Sequence, residues 1–299
     1  MPEFPNAPAG SAEVSTGPRI SVVIVVRNQA QALRTCVASL QRSTNFKEME
    51  ILVVDKASQD GSAEVDDQFP EVQILRLPKD FGTTRALNIG VRTARGEFLF
   101  LLHADSEVEP DSVAKLADRL GEDMTVGGVT PYLEKWHPLP TSDDLGAFCN
   151  TDEFPRHSSA PPDPPAEYVV EFPRDAPLMV RKAFVVSMNY FDERFGEFGS
   201  YLELCYQIRS SGKKILALRD VHVTSQPPPP NHSSAHAVDR VNGSALYLSK
   251  HGGSGVAFRT KAILSAISGI LSLRRLGYDF QRLTGILGGQ KIDGNQPGG

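Results

Sequence analysis

Cysteine is scarce in this chain of 299 residues: three occur, Cys36, Cys149 and Cys205, far apart and odd in number. Such a set supports neither a disulfide framework nor a thiolate zinc site, and it points to a reducing, cytoplasmic setting. A basic excess is missing too. The formal charge is −5 at pH 7, whereas a protein that neutralises nucleic-acid phosphates needs the opposite sign, so nucleic acid is not an expected partner. Long apolar runs are also lacking: crossing a bilayer takes about 18 such residues, and the nearest approach, 262–273, is short and broken by serines. Residues 1–18 are rich in Pro, Ala, Ser and Gly without the basic start and apolar centre of a signal peptide, and they read as a disordered arm.

What is present is an ordinary globular composition, with 40% hydrophobic and 22% charged residues, enough for one sizeable core. From Arg19 short apolar strands alternate with amphipathic helices. Ile20–Val26 is a β-branched run, followed by Leu33, Val37 and Leu40 at helical spacing. Strands are expected again at 51–54, 72–77 and 98–102, with helices between them. Pro110 suits a first helical position ahead of Val113, Leu116 and Leu120. The alternation predicts an α/β fold with right-handed crossovers. Beyond it, 136–165 is rich in Pro, Asp and Ser and reads as a long lid or acceptor-binding wall. Strands are expected at 168–172, 177–180 and 215–218, with a helix carrying Leu204 and Ile208 that stops at Gly212, and a polyproline break at 227–230.

In an open parallel sheet, ligands gather at the carboxyl ends of the strands. Three ends carry polar residues: Arg27 and Asn28, then Asp55, then His103-Ala104-Asp105. Each alone suits a turn or a helix entry; together they suggest a site. The segments Ser21–Asn28, Val53–Ser62 (with Asp55, Ser58 and Asp60), Gly82–Gly90, Leu101–Asp105 and Phe191–Phe195 follow one another in an order and spacing that resembles family 2 inverting glycosyltransferases of GT-A fold, the rhamnosyltransferase-like members among them.

That resemblance implies a Rossmann-like three-layer α/β/α sandwich with a mixed, mostly parallel central sheet. It divides the chain into a GT-A domain at 19–225 (a nucleotide-sugar half at 19–130 and an acceptor half at 131–225) and a tail at 226–299. It implies a nucleotide-diphosphate sugar donor bound by Val25, Arg27, Asn28, Asp55, Ser58, Asp60, Arg85, His103, Ala104 and Asp105. Asp55 would accept hydrogen bonds from the base or ribose, and Arg85 would face the diphosphate or brace the nearby carboxylates. Asp105 is the counterpart of the last acidic residue in the family's metal motif, implying Mg2+ or Mn2+, with His222 as a second ligand. The acceptor would be a cell-surface glycan, a glycolipid or a polysaccharide precursor.

An inverting transfer needs a carboxylate base. The acidic pair of relatives aligns with Ser200 and Tyr201 here, leaving Glu203 or Glu197 as substitutes. If neither serves, the chain binds nucleotide sugar, or a partner enzyme, without efficient transfer. From Lys250 on, seven Lys or Arg meet two Asp. Phe258, Ile263, Ile267, Ile270, Leu271 and Leu276 could share the apolar stripe of a basic amphipathic helix, lying on the cytoplasmic membrane face or packed on the protein.

Overall fold

The computed structural model describes residues 17–136, 138–139, 158–173, 176–225, 234–251, 253–272 and 276–288. The N-terminal arm through residue 16, most of the expected lid, Cys149 and the polyproline break lie outside these residues.

Twelve strands occur among them: β1 (Ile20–Val26), β2 (Met49–Asp55), β3 (Val72–Arg76), β4 (Phe98–His103), β5 (Ser106–Val108), β6 (Val126–Thr130), β7 (Lys135–Trp136), β8 (Ser158–Ser159), β9 (Glu167–Val170), β10 (Leu178–Arg181), β11 (Lys214–Leu218) and β12 (Val223–Ser225). The helices are α1 (Ala30–Gln41), α2 (Val65–Gln68), α3 (Thr83–Thr93), α4 (Ser112–Glu122), α5 (Lys182–Ser187), α6 (Gly196–Ser210), α7 (Ser234–Lys250), α8 (Gly255–Ser272) and α9 (Leu276–Gly288).

The central sheet has the order β3-β2-β1-β4-β10-β6-β11-β9. Strands β3, β2, β1 and β4 run parallel. β10 is antiparallel to both β4 and β6, β11 follows β6 in parallel, and β9 closes the edge antiparallel to β11. The β-branched and aromatic runs read as strands because both sheet faces are covered. Ile20, Val22, Ile24, Phe98, Phe100 and Leu102 turn to one core with Leu33 and Val37 of α1 and Leu116 and Leu120 of α4. Val23, Leu52, Leu99 and Leu101 turn to the other, with Val91 of α3, Leu204 and Ile208 of α6 and Val238 and Val241 of α7. Alternation along each strand thus builds a helix–sheet–helix sandwich.

Gly90 sets how closely α3 lies on this sheet, because a Cβ there would come 2.6 Å from Val23 Cγ1 and 3.1 Å from Val54 Cγ2. Strand β6 is absent from the expectations above since Gly127 and Gly128 weaken its apolar signal. The glycine is used instead for close approach of α6: a Cβ at 127 would meet Ile208 Cγ2 at 2.6 Å. Pro110 proves not to open α4, whose cap is Asp111. The tail forms three helices rather than one, and Phe258 is buried rather than part of an outward stripe.

Candidate active site

The parallel strands bring their carboxyl ends to one edge. Val26 is in register with Asp55, and Val25 with both Val54 and His103. Asp55 and His103 therefore flank the end of β1, roughly 10 Å apart across two strand spacings, and Asp105 follows two residues beyond. Both carboxylates that the sequence singled out emerge at this edge.

Asp55 is buried. Its Oδ2 accepts from the Ser58 N–H at 3.1 Å, while Oδ1 is buried with no hydrogen-bond partner. The His103 Nε2 is likewise buried and unpartnered. Leaving such atoms unpaired costs about 1–3 kcal/mol each, so two of them on either side of the β1 end suit a ligand that supplies the missing partners.

Around them the loops are tied together. Asn28 donates its N–H to Ser58 Oγ at 2.9 Å, and its Oδ1 accepts from the Gln59 N–H at 2.8 Å. Asn28 (φ 52°) and Ala57 (φ 56°) both take the left-handed backbone, which tightens the two turns. Asp60 Oδ2 accepts from the first N–H of α1, at Ala30, and Oδ1 accepts from Ser62. Burial works against the Asp60 charge, but the bonds from Ser62 and Ala30 outweigh it and hold the carboxyl below its ordinary range. Asn28, Ser58 and Asp60, read from sequence as donor contacts, thus spend these bonds on shaping the edge that presents Asp55.

Two residues were missed. The Asp80 side chain is 2% exposed and lies 2.8 Å from Arg27 Nη1 and 3.7 Å from Lys56 Nζ, while its Oδ1 accepts from the Gly82 N–H at 2.8 Å just ahead of α3. Lys56 Nζ also donates to Thr83 Oγ1 at 2.8 Å. The signal for Asp80 was available: an aspartate two positions before a glycine, where its side chain can take the N–H two residues on, is an Asx-turn pattern. Arg85 is exposed on the first turn of α3, its guanidinium 4.7 Å from the Phe81 ring centre.

Helix α6 reaches the same edge. The Tyr201 ring stacks on His103 at 6.5 Å with a 21° interplanar angle, and Ser200 Oγ lies 3.4 Å from Thr84 Oγ1. Glu203 faces the other way. It is buried against α7, where Oε1 accepts from Lys250 Nζ at 2.6 Å and from Gln207 Nε2 at 2.7 Å, and Oε2 lies 2.6 Å from His251 Nε2. Burial opposes its charge, but those bonds prevail and lower its pKa. Glu197, half-buried in the first turn of α6, makes no side-chain hydrogen bond among the described residues.

Asp239 on α7 caps α6 from outside the helix: Oδ1 accepts from the Glu197 N–H at 3.3 Å and Oδ2 from the Phe198 N–H at 3.0 Å. Burial pushes its carboxyl up to about 7, and the Phe198 bond only partly offsets that. Gly196 makes room for it, having φ of 68° and a Cβ position 1.8 Å from Asp239 Oδ1.

His222 is not brought to Asp105. Strand β12 pairs antiparallel with β5, Ser225 opposite Ser106 and Val223 opposite Val108, which puts His222 at the far end of the ribbon, on the order of 10 Å from the residue after Asp105. Its ring packs instead at 5.8 Å from Tyr132. Among the described residues no three His, Cys, Asp or Glu side chains gather for a metal. A hard cation at Asp105 fits the chemistry of that oxygen donor, and with one carboxylate it would draw the rest of its shell from diphosphate oxygens and water.

Residues 21–165 match the family model described as Glycosyl transferase family 2. The match takes in Asp55, His103 and Asp105 and stops before α6. Glycosyltransferase GlyG of Streptococcus pneumoniae serotype 4 is 30% identical over 122 residues, 38% of this chain and 40% of that relative. The chain thus spans well under two thirds of that curated relative. Among solved structures, GalNAc-T7 with UDP, GalNAc and Mn2+ superposes with a TM-score of 0.61 at 19% identity, covering 78% of this chain and 48% of the other. The mannosyltransferase PcManGT from Pyrobaculum calidifontis, in complex with GDP-Man and Mn2+, superposes at 0.56 and 16% identity over 92% and 86%. The solved structures show the GT-A fold, and residues 21–165 are similar in sequence to family 2 glycosyltransferases.

Proposed function

We propose that this protein binds a nucleotide-diphosphate sugar along the β2-β1-β4 edge and transfers a hexose or deoxyhexose, with inversion, to a glycan or glycolipid acceptor. The observation that carries this reading is the buried, unpartnered Asp55 Oδ1, which suits an imide N–H or a ribose hydroxyl. Arg27 and Lys56, gathered around Asp80, put positive charge at the N-terminus of α3, on the side where a diphosphate would lie. Mg2+ or Mn2+ held at Asp105 would stabilise negative charge on the departing nucleoside diphosphate. The two structural neighbours, solved with Mn2+ and with UDP or GDP-Man, support such a donor and cation.

For the proton taken from the acceptor hydroxyl, Glu197 is the carboxylate of α6 left open, since Glu203 is engaged by Lys250 and His251. Geometry comes before pKa in that choice. The same engagement of Glu203, with Ser200 and Tyr201 at the edge, favours a second reading in which donor is bound and transfer is weak.

Calorimetric titration with UDP, GDP and dTDP in the presence of Mn2+, followed by donor hydrolysis over a panel of their sugars, tests both. Binding that is lost in Asp55→Ala, with release of nucleoside diphosphate that is lost in Asp105→Ala, is the expected result. Binding without release for every donor selects the second reading. No binding of any nucleotide removes both.

A further inference from the structure

The three tail helices form a packed unit. Gly285 of α9 sits against Val238 of α7, where a Cβ would come 2.6 Å from Val238 Cγ2, and Gly269 of α8 sits against Asp279 of α9 at 2.4 Å by the same measure. Phe258, Ala262 and Ala266 of α8 and Ile286 of α9 are buried. The inward faces of both helices are therefore accounted for.

Their outward faces are also apolar. Of ten large hydrophobic side chains exposed among the described residues, seven lie here: Val256, Leu264, Ile267 and Leu271 on α8, and Leu276, Phe280 and Leu287 on α9. Val256 and Leu271 are 77% and 78% exposed. At about 100° per residue, the α8 set falls within about 80° of helix arc and the α9 set within about 40°. Each helix thus carries one continuous stripe directed away from the protein, a pattern unlike the scattered single apolar residues of an ordinary surface.

Charge selects the occupant. Residues 250–299 carry seven Lys or Arg and two Asp, against 24 Lys or Arg and 34 Asp or Glu in residues 1–249. A symmetric dimer through these stripes would bring two segments of +5 together, whereas an anionic lipid surface complements them. No helix among the described residues is long and apolar enough to cross a membrane, so the stripes suit helices lying in the interface, with the exposed Lys261 reaching for headgroups.

We propose that α8 and α9 dock this protein on an anionic bilayer, their apolar stripes inserted among the acyl chains and the exposed Lys261 of α8 at the headgroups. The inference stands apart from the donor site; if both hold, a glycolipid acceptor is met at the surface where the enzyme rests.

Flotation of the full-length protein with vesicles of phosphatidylcholine, alone or mixed with phosphatidylglycerol, tests it. The expected result is recovery with the mixed vesicles that falls with added salt. Recovery should drop at least about tenfold in the triple variant Leu264→Glu, Leu271→Glu, Phe280→Glu. Those side chains are exposed, so thermal melting and nucleotide affinity of the variant should match the parent, which separates this test from the fate of the donor reading. A parent that stays at the bottom of the gradient, or a variant that floats as well as the parent, overturns the proposal. Light scattering that shows a dimer split by the same substitutions, with no flotation, assigns the stripes to a second copy and overturns it equally.

Discussion

The Asn88 carboxamide donates to the Phe191 carbonyl at 2.7 Å and accepts from the Phe191 N–H at 3.0 Å, a two-way bond across 103 residues of chain. It ties α3, whose first turn follows the carboxyl edge of the parallel strands, to the segment that leads into α6. Asn88→Ala should cost about 2–4 kcal/mol, since two buried backbone groups lose their partners. Asn88→Asp should cost nearly as much, because a carboxylate cannot donate to the carbonyl. Urea unfolding followed by circular dichroism measures both.

Asp55→Ala should weaken nucleoside diphosphate binding by about 10- to 100-fold, the worth of one or two charge-assisted hydrogen bonds, with little change in melting temperature. Calorimetry in the presence of Mn2+ reads the affinity. An unaltered affinity would remove Asp55 from the site.

Glu203 and Glu197 should separate cleanly. Glu203→Ala strips the partner from Lys250 and His251 and should destabilise the fold by about 1–3 kcal/mol, Lys250 being half exposed and able to hydrate, while leaving donor affinity near normal. Glu197→Gln should leave stability alone and lower kcat by about 100- to 10,000-fold, as expected on losing a general base. Turnover that survives Glu197→Gln would return the question to Tyr201 and its neighbours.

Asp239 should make stability depend on pH with a defined sign. Its folded pKa is raised to about 7, while an unfolded aspartate titrates near about 3.9. Between those values the folded protein holds a proton that the unfolded chain releases. The contribution of Asp239 is therefore most favourable below pH ~4, is lost as pH rises to about 7, and is flat above. Subtracting the stability of Asp239→Asn from that of the parent at each pH should give a falling line with a slope of up to ~1.4 kcal/mol per pH unit. A difference independent of pH would mean that the carboxyl is not buried as described.

The parallel half of the sheet was legible because its signals are local. A β-branched run such as Ile20–Val26 can be buried on both faces only in a covered sheet, and the polar residues that follow each strand then fall on one edge by topology alone. β6 was hidden by Gly127 and Gly128, whose value lies in what approaches them. The division of labour on α6 was hidden for a related reason: Glu203 looks like an available acid until α7 supplies Lys250 and His251 from 47 and 48 residues away. Asp239 gave no sign because a cap delivered from another helix leaves no pattern near the helix it caps. The tail stripe mixed two faces, Ile267, Leu271 and Leu276 being exposed and Phe258 buried, since its period fits a buried side and an outward side about equally.

Gly199 of α6 and Gly243 of α7 touch through their backbones, a Cβ at either position falling within 3 Å of the other residue. Such a notch admits one seating of the tail and penalises a sliding one. Chimeras that exchange tails between relatives should fold only where both glycines travel together, and a fragment cut before Ser234 would give up the surface on which α6 is seated.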